Sequence, residues 1–162
     1  MVSVITHPTC TVRAARPDDG DSMAALAVQL GYHCTGAEVR RRLDEMSDPA
    51  RFGVFVAVLP EGKVVGWVGV YLYRAIELEA LAEINGLVVE ETLRSQGMGK
   101  VLLQAAEDWA QRAGCVAISV HSNATRERAH HFYLNNGFGL LKTHCMFHKL
   151  LRRHSTCEGN RG

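Results

Sequence analysis

Arg94-Ser-Gln-Gly97-Met-Gly99-Lys100 is the segment of this chain with the clearest capacity for chemistry. It follows an apolar run, Leu81 to Val89, and opens a stretch with helical periodicity. The first N–H groups of a helix have no partner inside it and sit at the positive end of its dipole. Missing Cβ atoms at Gly97 and Gly99 let a phosphate approach that backbone, and Arg94 and Lys100 bring positive charge to the same place. Two glycines before a helix also relieve packing or form a tight bend, and the turn alone does not choose between these readings.

Other reactive residue types are more dispersed. Five cysteines, at 10, 34, 115, 145 and 157, include no Cys-x-x-Cys pair, and an odd count leaves one thiol unpaired, which suits a reducing compartment. Cys115 reads as a small buried hydrophobe rather than an acyl-carrying nucleophile. His144-Cys145-x-x-His148 has ligand-type residues without a third partner, so no metal is expected. His130 and His131 fall within a helical segment and read as surface residues.

The elements that must position the turn follow from periodicity. Met98, Val101, Leu102, Ala105, Trp109 and Ala113 make one apolar helix face, stopped by Gly114. Upstream, the pattern predicts a strand over Thr9 to Ala14, a helix from the Arg16-Pro-Asp18 turn to about Leu30, and a second helix from Gly36 to Met46. Phe52 to Leu59 and Val64 to Tyr73 read as a hairpin through Pro60-Glu-Gly-Lys63, and Leu81 to Val89 as the strand feeding the turn. Val116 to His121 is a further strand, Arg126 to Asn135 a helix, and Phe138 to Leu141 and Cys145 to Leu150 two closing strands. The order implies a mixed sheet with helices on its faces, residues 81–121 forming a parallel crossover.

A chain of 162 residues, 47% hydrophobic and 22% charged, has the size and composition of one globular domain, here residues 1–151 with a polar tail over 152–162. A net charge of +1 argues against a nucleic-acid binder. Arg40-Arg41-Arg42 and Arg152-Arg153 read as solvated charges. No apolar run reaches membrane-spanning length and the amino terminus does not read as a secretory signal, so a soluble cytoplasmic protein is expected, with no membrane partner.

Two blocks in this order, Ala82-Glu-Ile-Asn-Gly-Leu-Val-Val leading to the Arg94-Ser-Gln-Gly-Met-Gly turn, then Ala129-His-His-Phe-Tyr133-Leu-Asn-Asn-Gly-Phe138, resemble the GCN5-related N-acetyltransferases over nearly the whole chain. The second block, with Phe147-His-Lys149-Leu, is similar to a bacterial subgroup that includes aminoalkylphosphonate acetyltransferases. The resemblance implies a single-domain α/β fold: a mixed, mostly antiparallel twisted sheet of about six to seven strands, about four flanking helices, and splayed central parallel strands. It implies acetyl-CoA as cosubstrate and direct transfer, in a ternary complex, to a primary amine of a small molecule or peptide. Homodimerisation is left open. A noncatalytic acyl-CoA-binding regulatory module is the alternative.

Carried over residue by residue, the resemblance has backbone groups of Leu87, Val88 and Val89 pairing with the pantetheine arm, and one of their N–H groups would hold the oxyanion of the tetrahedral intermediate. Arg94, Ser95, Gln96, Gly97, Met98, Gly99 and Lys100 wrap the pyrophosphate. Tyr133 matches the tyrosine directed at the coenzyme A sulfur and would act as general acid. Glu83 matches the catalytic glutamate of some members, either as base or as an attractor of the cationic substrate. Many members carry Asn where this chain has Arg126, with Asn123 one turn earlier; either residue would contact the cofactor. Acceptor walls would come from residues 30–36 and 73–79, where Glu77 and Glu79 favour a cation and Arg74 or His33 an anion.

Overall fold

The computed structural model describes residues 5–7, 9–143 and 145–151. Six strands form one sheet in sequential order: β1 (Ile5–His7), β2 (Cys10–Ala14), β3 (Phe52–Val58), β4 (Val64–Tyr73), β5 (Leu81–Val89) and β6 (Ala117–Val120). Every neighbouring pair is antiparallel except β5 and β6, which are parallel. Four helices accompany them: α1 (Gly20–Val28), α2 (Gly36–Glu45), α3 (Met98–Arg112) and α4 (Glu127–Asn135). Five of the seven expected strands form. β1 was not anticipated, and Phe138 to Leu141 and Cys145 to Leu150 adopt no strand among the described residues. Side chains there such as Leu140, Met146 and Phe147 lie exposed, so the apolar character that suggested buried strands has no packing partner among those residues. The expected tail, 152–162, lies outside the described residues.

The chain divides into two compact units, one ending at Val120 and the other starting at His121. In the first, strand alternation splits the sheet into two apolar faces. α1 covers one, where Met23, Leu26, Val39, Val56 and Val88 cluster with Trp67 packed against them. α3 crosses β3, β4 and β5 on the other. It comes close enough that a Cβ on Gly53 would lie 2.9 Å from the Trp109 ring, and one on Gly66 3.0 Å from Leu102. Both strand glycines therefore serve close helix approach. α2 starts with a capping box in which Glu38 N–H donates to the Thr35 hydroxyl while the Glu38 carboxylate accepts from Thr35 N–H, a device visible in Thr35-x-x-Glu38.

Asp19 anchors the start of α1. Its carboxylate accepts from Arg13 Nη1 at 2.7 Å, from Arg13 Nη2 at 2.8 Å and from the Arg16 N–H at 2.7 Å. Burial pushes the Asp19 pKa up, but these hydrogen bonds and the two arginine charges outweigh it and leave the group below its usual value. Asp19→Ala is expected to cost roughly 2–4 kcal/mol, less than the extreme for a wholly buried pair because the Arg13 side chain keeps 24% exposure. A depressed folded pKa means stability present above the unfolded value of about 3.9 and lost as pH falls through the folded one. Urea unfolding of both proteins at neutral and acidic pH checks this: the gap should narrow in acid, and a gap independent of pH would detach Asp19 from it.

Candidate active site

The glycine turn sits where the sequence places it, between β5 and α3. Residues 91–93 make one 3-10 turn after β5, then Ser95 adopts φ 64° and Gly97 φ 87° before α3 begins at Met98. A left-handed residue followed by a helical one aims successive N–H groups into a single concavity. The Gly97 carbonyl accepts from the N–H groups of Lys100 and Val101, while those of Met98 and Gly99 have no helical acceptor.

Arg94 has a different local task from its neighbours. Its Nε donates to the Val89 carbonyl at 3.0 Å and its Nη2 to Gln29 Oε1 at 2.9 Å, while Gln29 Nε2 donates to Glu90 Oε1 at 2.9 Å. This network ties the turn to the end of α1. Gln29 carries no motif signal, and only the folded arrangement reveals its part.

β5 links the turn to the carboxylate. Its pairing with β6 covers Leu81 to Ile84 and stops, so residues 85–89 run on without a β6 partner. On the other side, Gly69 pairs with Gly86 but Val70 with Ile84, making Asn85 the extra residue of a bulge. A Cβ on Gly69 would lie 2.3 Å from Asn85 Oδ1, so the bulge requires glycine opposite it.

Glu83 lies directly across from Tyr71. The Tyr71 hydroxyl donates to its carboxylate, and burial, followed by this hydrogen bond and the Glu83 charge, pushes the tyrosine to about 12. Alternation puts both on the α1 side of the sheet, since Trp67 of that face lies four residues before Tyr71, with no irregularity of β4 itself between them. Tyr71 escaped sequence reading because its partnership depends on the register beyond the bulge.

In the second unit, the Asn123 carboxamide oxygen accepts from the Thr125 N–H and hydroxyl, both at 3.0 Å, and its carbonyl accepts from the Arg126 N–H at the start of α4. Tyr133, on α4, has its ring 5.2 Å from Phe132 and 5.4 Å from Phe138. Burial pushes it to about 12, with the Arg126 charge pulling weakly the other way. No described residue hydrogen-bonds its hydroxyl. Glu83 and the turn belong to the first unit, whereas Asn123, Arg126 and Tyr133 belong to the second.

The model of the Acetyltransferase (GNAT) family matches residues 23–138, which include the turn, Glu83 and Tyr133. The chain belongs to the GNAT acetyltransferase family. This GNAT protein is 29% identical over 153 residues to aminoalkylphosphonate N-acetyltransferase of Salmonella typhimurium, covering 89% of this chain and 93% of that one. It is 30% identical over 135 residues to aminoglycoside N(6')-acetyltransferase type 1 of Klebsiella aerogenes, covering 78% and 88%. Among solved structures, AAC(6')-Iy in complex with the bisubstrate analog CoA-S-monomethyl-acetylneamine has the same fold at TM-score 0.76 and 15% identity, covering 90% of this chain and 99% of that one. The protein is thus an N-acetyltransferase, and GNAT enzymes use acetyl-CoA.

Of the remaining reactive residues in this GNAT domain, Cys10, Cys34, Cys115 and Cys145 are free thiols. Burial pushes Cys115 up and the Arg74 charge only partly offsets it, which lowers the thiolate fraction a nucleophile needs. His144 lies outside the described residues. Among those described, no group of three metal-ligating side chains converges and no helix is long and apolar enough to cross a membrane.

Proposed function

We propose that this GNAT enzyme transfers the acetyl group of acetyl-CoA directly to a primary amine of a small polar molecule, through a ternary complex, with Glu83 handling the amine proton and Tyr133 acting at the leaving sulfur. The observation that carries the reading is the layout of β5. The glycine turn follows one end, an edge without a β6 partner runs along residues 85–89, and a hydroxyl-oriented carboxylate stands at Glu83. From Glu83 to Val89 is roughly 20 Å of strand, at about 3.3 Å per residue, comparable to an extended pantetheine arm. Backbone groups of Leu87 to Val89 suit pairing with that arm, and Met98 and Gly99 N–H groups suit the pyrophosphate.

When bound, acetyl-CoA supplies an activated acyl thioester. An alkylammonium near about 10.4 must lose a proton before its nitrogen can attack, and an ordinary carboxylate near about 4.3 is a weak base for it. Glu83 is therefore assigned to accept that proton at its carboxylate and pass it through water, with Tyr71 fixing its orientation. A β5 N–H within Leu87 to Val89 would hold the oxyanion as charge builds. The small-amine class is supported by the relatives' substrates, aminoalkylphosphonates and aminoglycosides. An acyl-CoA-binding module without turnover has no use for the Glu83–Tyr71 pair.

Glu83→Gln tests the base. Its deficit in kcat should be greatest at low pH and shrink as alkaline solution takes over the deprotonation. A pure rise in KM for the amine, with saturated turnover intact, would instead make Glu83 a binding residue, because only uniform binding would have been lost. Thiol release from acetyl-CoA against a panel of amines and aminophosphonates supplies the measurement.

A further inference from the structure

A cavity of about 910 Å³ opens on the α3 side of the sheet, across from Glu83. Leu72 and Trp109 contribute its apolar lining, and Arg51, Arg74 and Arg112 its charge, with no carboxylate among the lining residues. Three different segments deliver those arginines: the loop before β3, the residue following β4 and the last turn of α3. Trp109 is 6% exposed and its Nε1 donates to the Pro49 carbonyl at 3.0 Å, which braces the loop carrying Arg51 against α3. The Arg51 carbonyl also accepts from the Leu72 N–H, so the loop is held to β4 as well.

Five other arginines of the described residues have carboxylate partners: Arg13 with Asp19, Arg40 with Asp21, Arg41 with Glu45, Arg42 with Glu38 and Arg94 with Glu91. Arg51, Arg74 and Arg112 have none among the described residues, and the Arg51 guanidinium only overlies the Phe52 ring at 5.5 Å. The α3 C-terminus opposes an anion there with roughly half an elementary negative charge. Three full positive charges outweigh it several-fold. Like charges directed at one cavity repel each other, and an anion between them removes that repulsion while forming charge-assisted hydrogen bonds.

We propose that this cavity is a second ligand site, separate from the acetyl-transfer site, for a multiply charged anionic metabolite such as a phosphorylated or polycarboxylated compound. Its volume lies in the range of small-molecule sites, and its apolar lining suits the carbon portion of such a ligand.

Calorimetry with tripolyphosphate and with citrate as probes separates phosphate from carboxylate chemistry. Each titration is run with and without saturating coenzyme A, which keeps the glycine turn from contributing and distinguishes a failure here from a failure of the cofactor assignment. We expect saturable binding of at least one probe in both settings, weakened about tenfold to a hundredfold by Arg51→Gln or Arg112→Gln and, with coenzyme A saturating, unchanged by Lys100→Gln. Thermal melts of the variants confirm that each is folded, and Arg74→Gln provides a third substitution should one of them fail to fold. Absence of saturable binding, binding indifferent to the arginine substitutions, or binding lost with Lys100→Gln under saturating coenzyme A would each overturn the proposal.

Discussion

Gly97→Val is expected to abolish measurable acetyl-CoA binding while the domain stays folded. Gly97 holds φ 87° at the start of α3, a conformation in which a β-branched side chain is strained. Strain of this kind costs about 1–3 kcal/mol, which a typical domain stability of about 5–15 kcal/mol absorbs. The binding loss arises separately. Relieving the strain turns the following N–H groups out of convergence, and any bulk retained fills the concavity where a phosphate would approach. Gly97→Asn is the informative partner, since Asn tolerates left-handed backbone and should retain part of the affinity. Calorimetry with acetyl-CoA decides the matter: wild-type affinity in Gly97→Val would mean that the pyrophosphate binds elsewhere.

Tyr133→Phe should lower turnover by roughly 10² to 10⁴ with cofactor affinity nearly intact, the range expected when one positioned acid is removed. Its elevation to about 12 keeps the hydroxyl protonated throughout the neutral range. A thiol near about 8.5 is the stronger acid, so full transfer from Tyr133 to a thiolate is uphill. In the proposed mechanism the hydroxyl would therefore serve as a hydrogen-bond donor to the developing charge, with the net proton coming from the amine or solvent. It follows that kcat for Tyr133→Phe should stay depressed across the neutral range instead of recovering at one end. Unchanged single-turnover rates would remove Tyr133 from the mechanism.

What the sequence disclosed depended on whether the signal was local. The glycine turn, the amphipathic α3 and the Pro60–Lys63 hairpin each rest on residues close in the chain, and each forms. The Glu83–Tyr71 pair depends on register across a bulge, the Arg94–Gln29 network joins residues 65 apart, and the arginine cavity assembles three separate elements. Such arrangements leave no periodicity to read. Arg74 illustrates the difference: the resemblance placed it among residues that could wall the acceptor, and only the fold shows that it shares a cavity lining with Trp109 and Arg112. Phe138 to Leu141 and Cys145 to Leu150 show the opposite error, because hydrophobic content predicts burial only when a partner surface is at hand, and content alone does not specify one.

The two tryptophans occupy opposite sides of the sheet. Trp67 Nε1 donates to the Met23 carbonyl of α1 at 3.2 Å, whereas Trp109 belongs to α3 and is hydrogen-bonded to the Pro49 loop. With only these two in the chain, each side carries its own fluorophore. With excitation selective for tryptophan, a Trp109→Phe protein reports from the α1 side and a Trp67→Phe protein from beside the arginine cavity. Ligand titrations followed in the two single-tryptophan proteins would thus assign an optical change to one side of the sheet without isotopic labels or crystals.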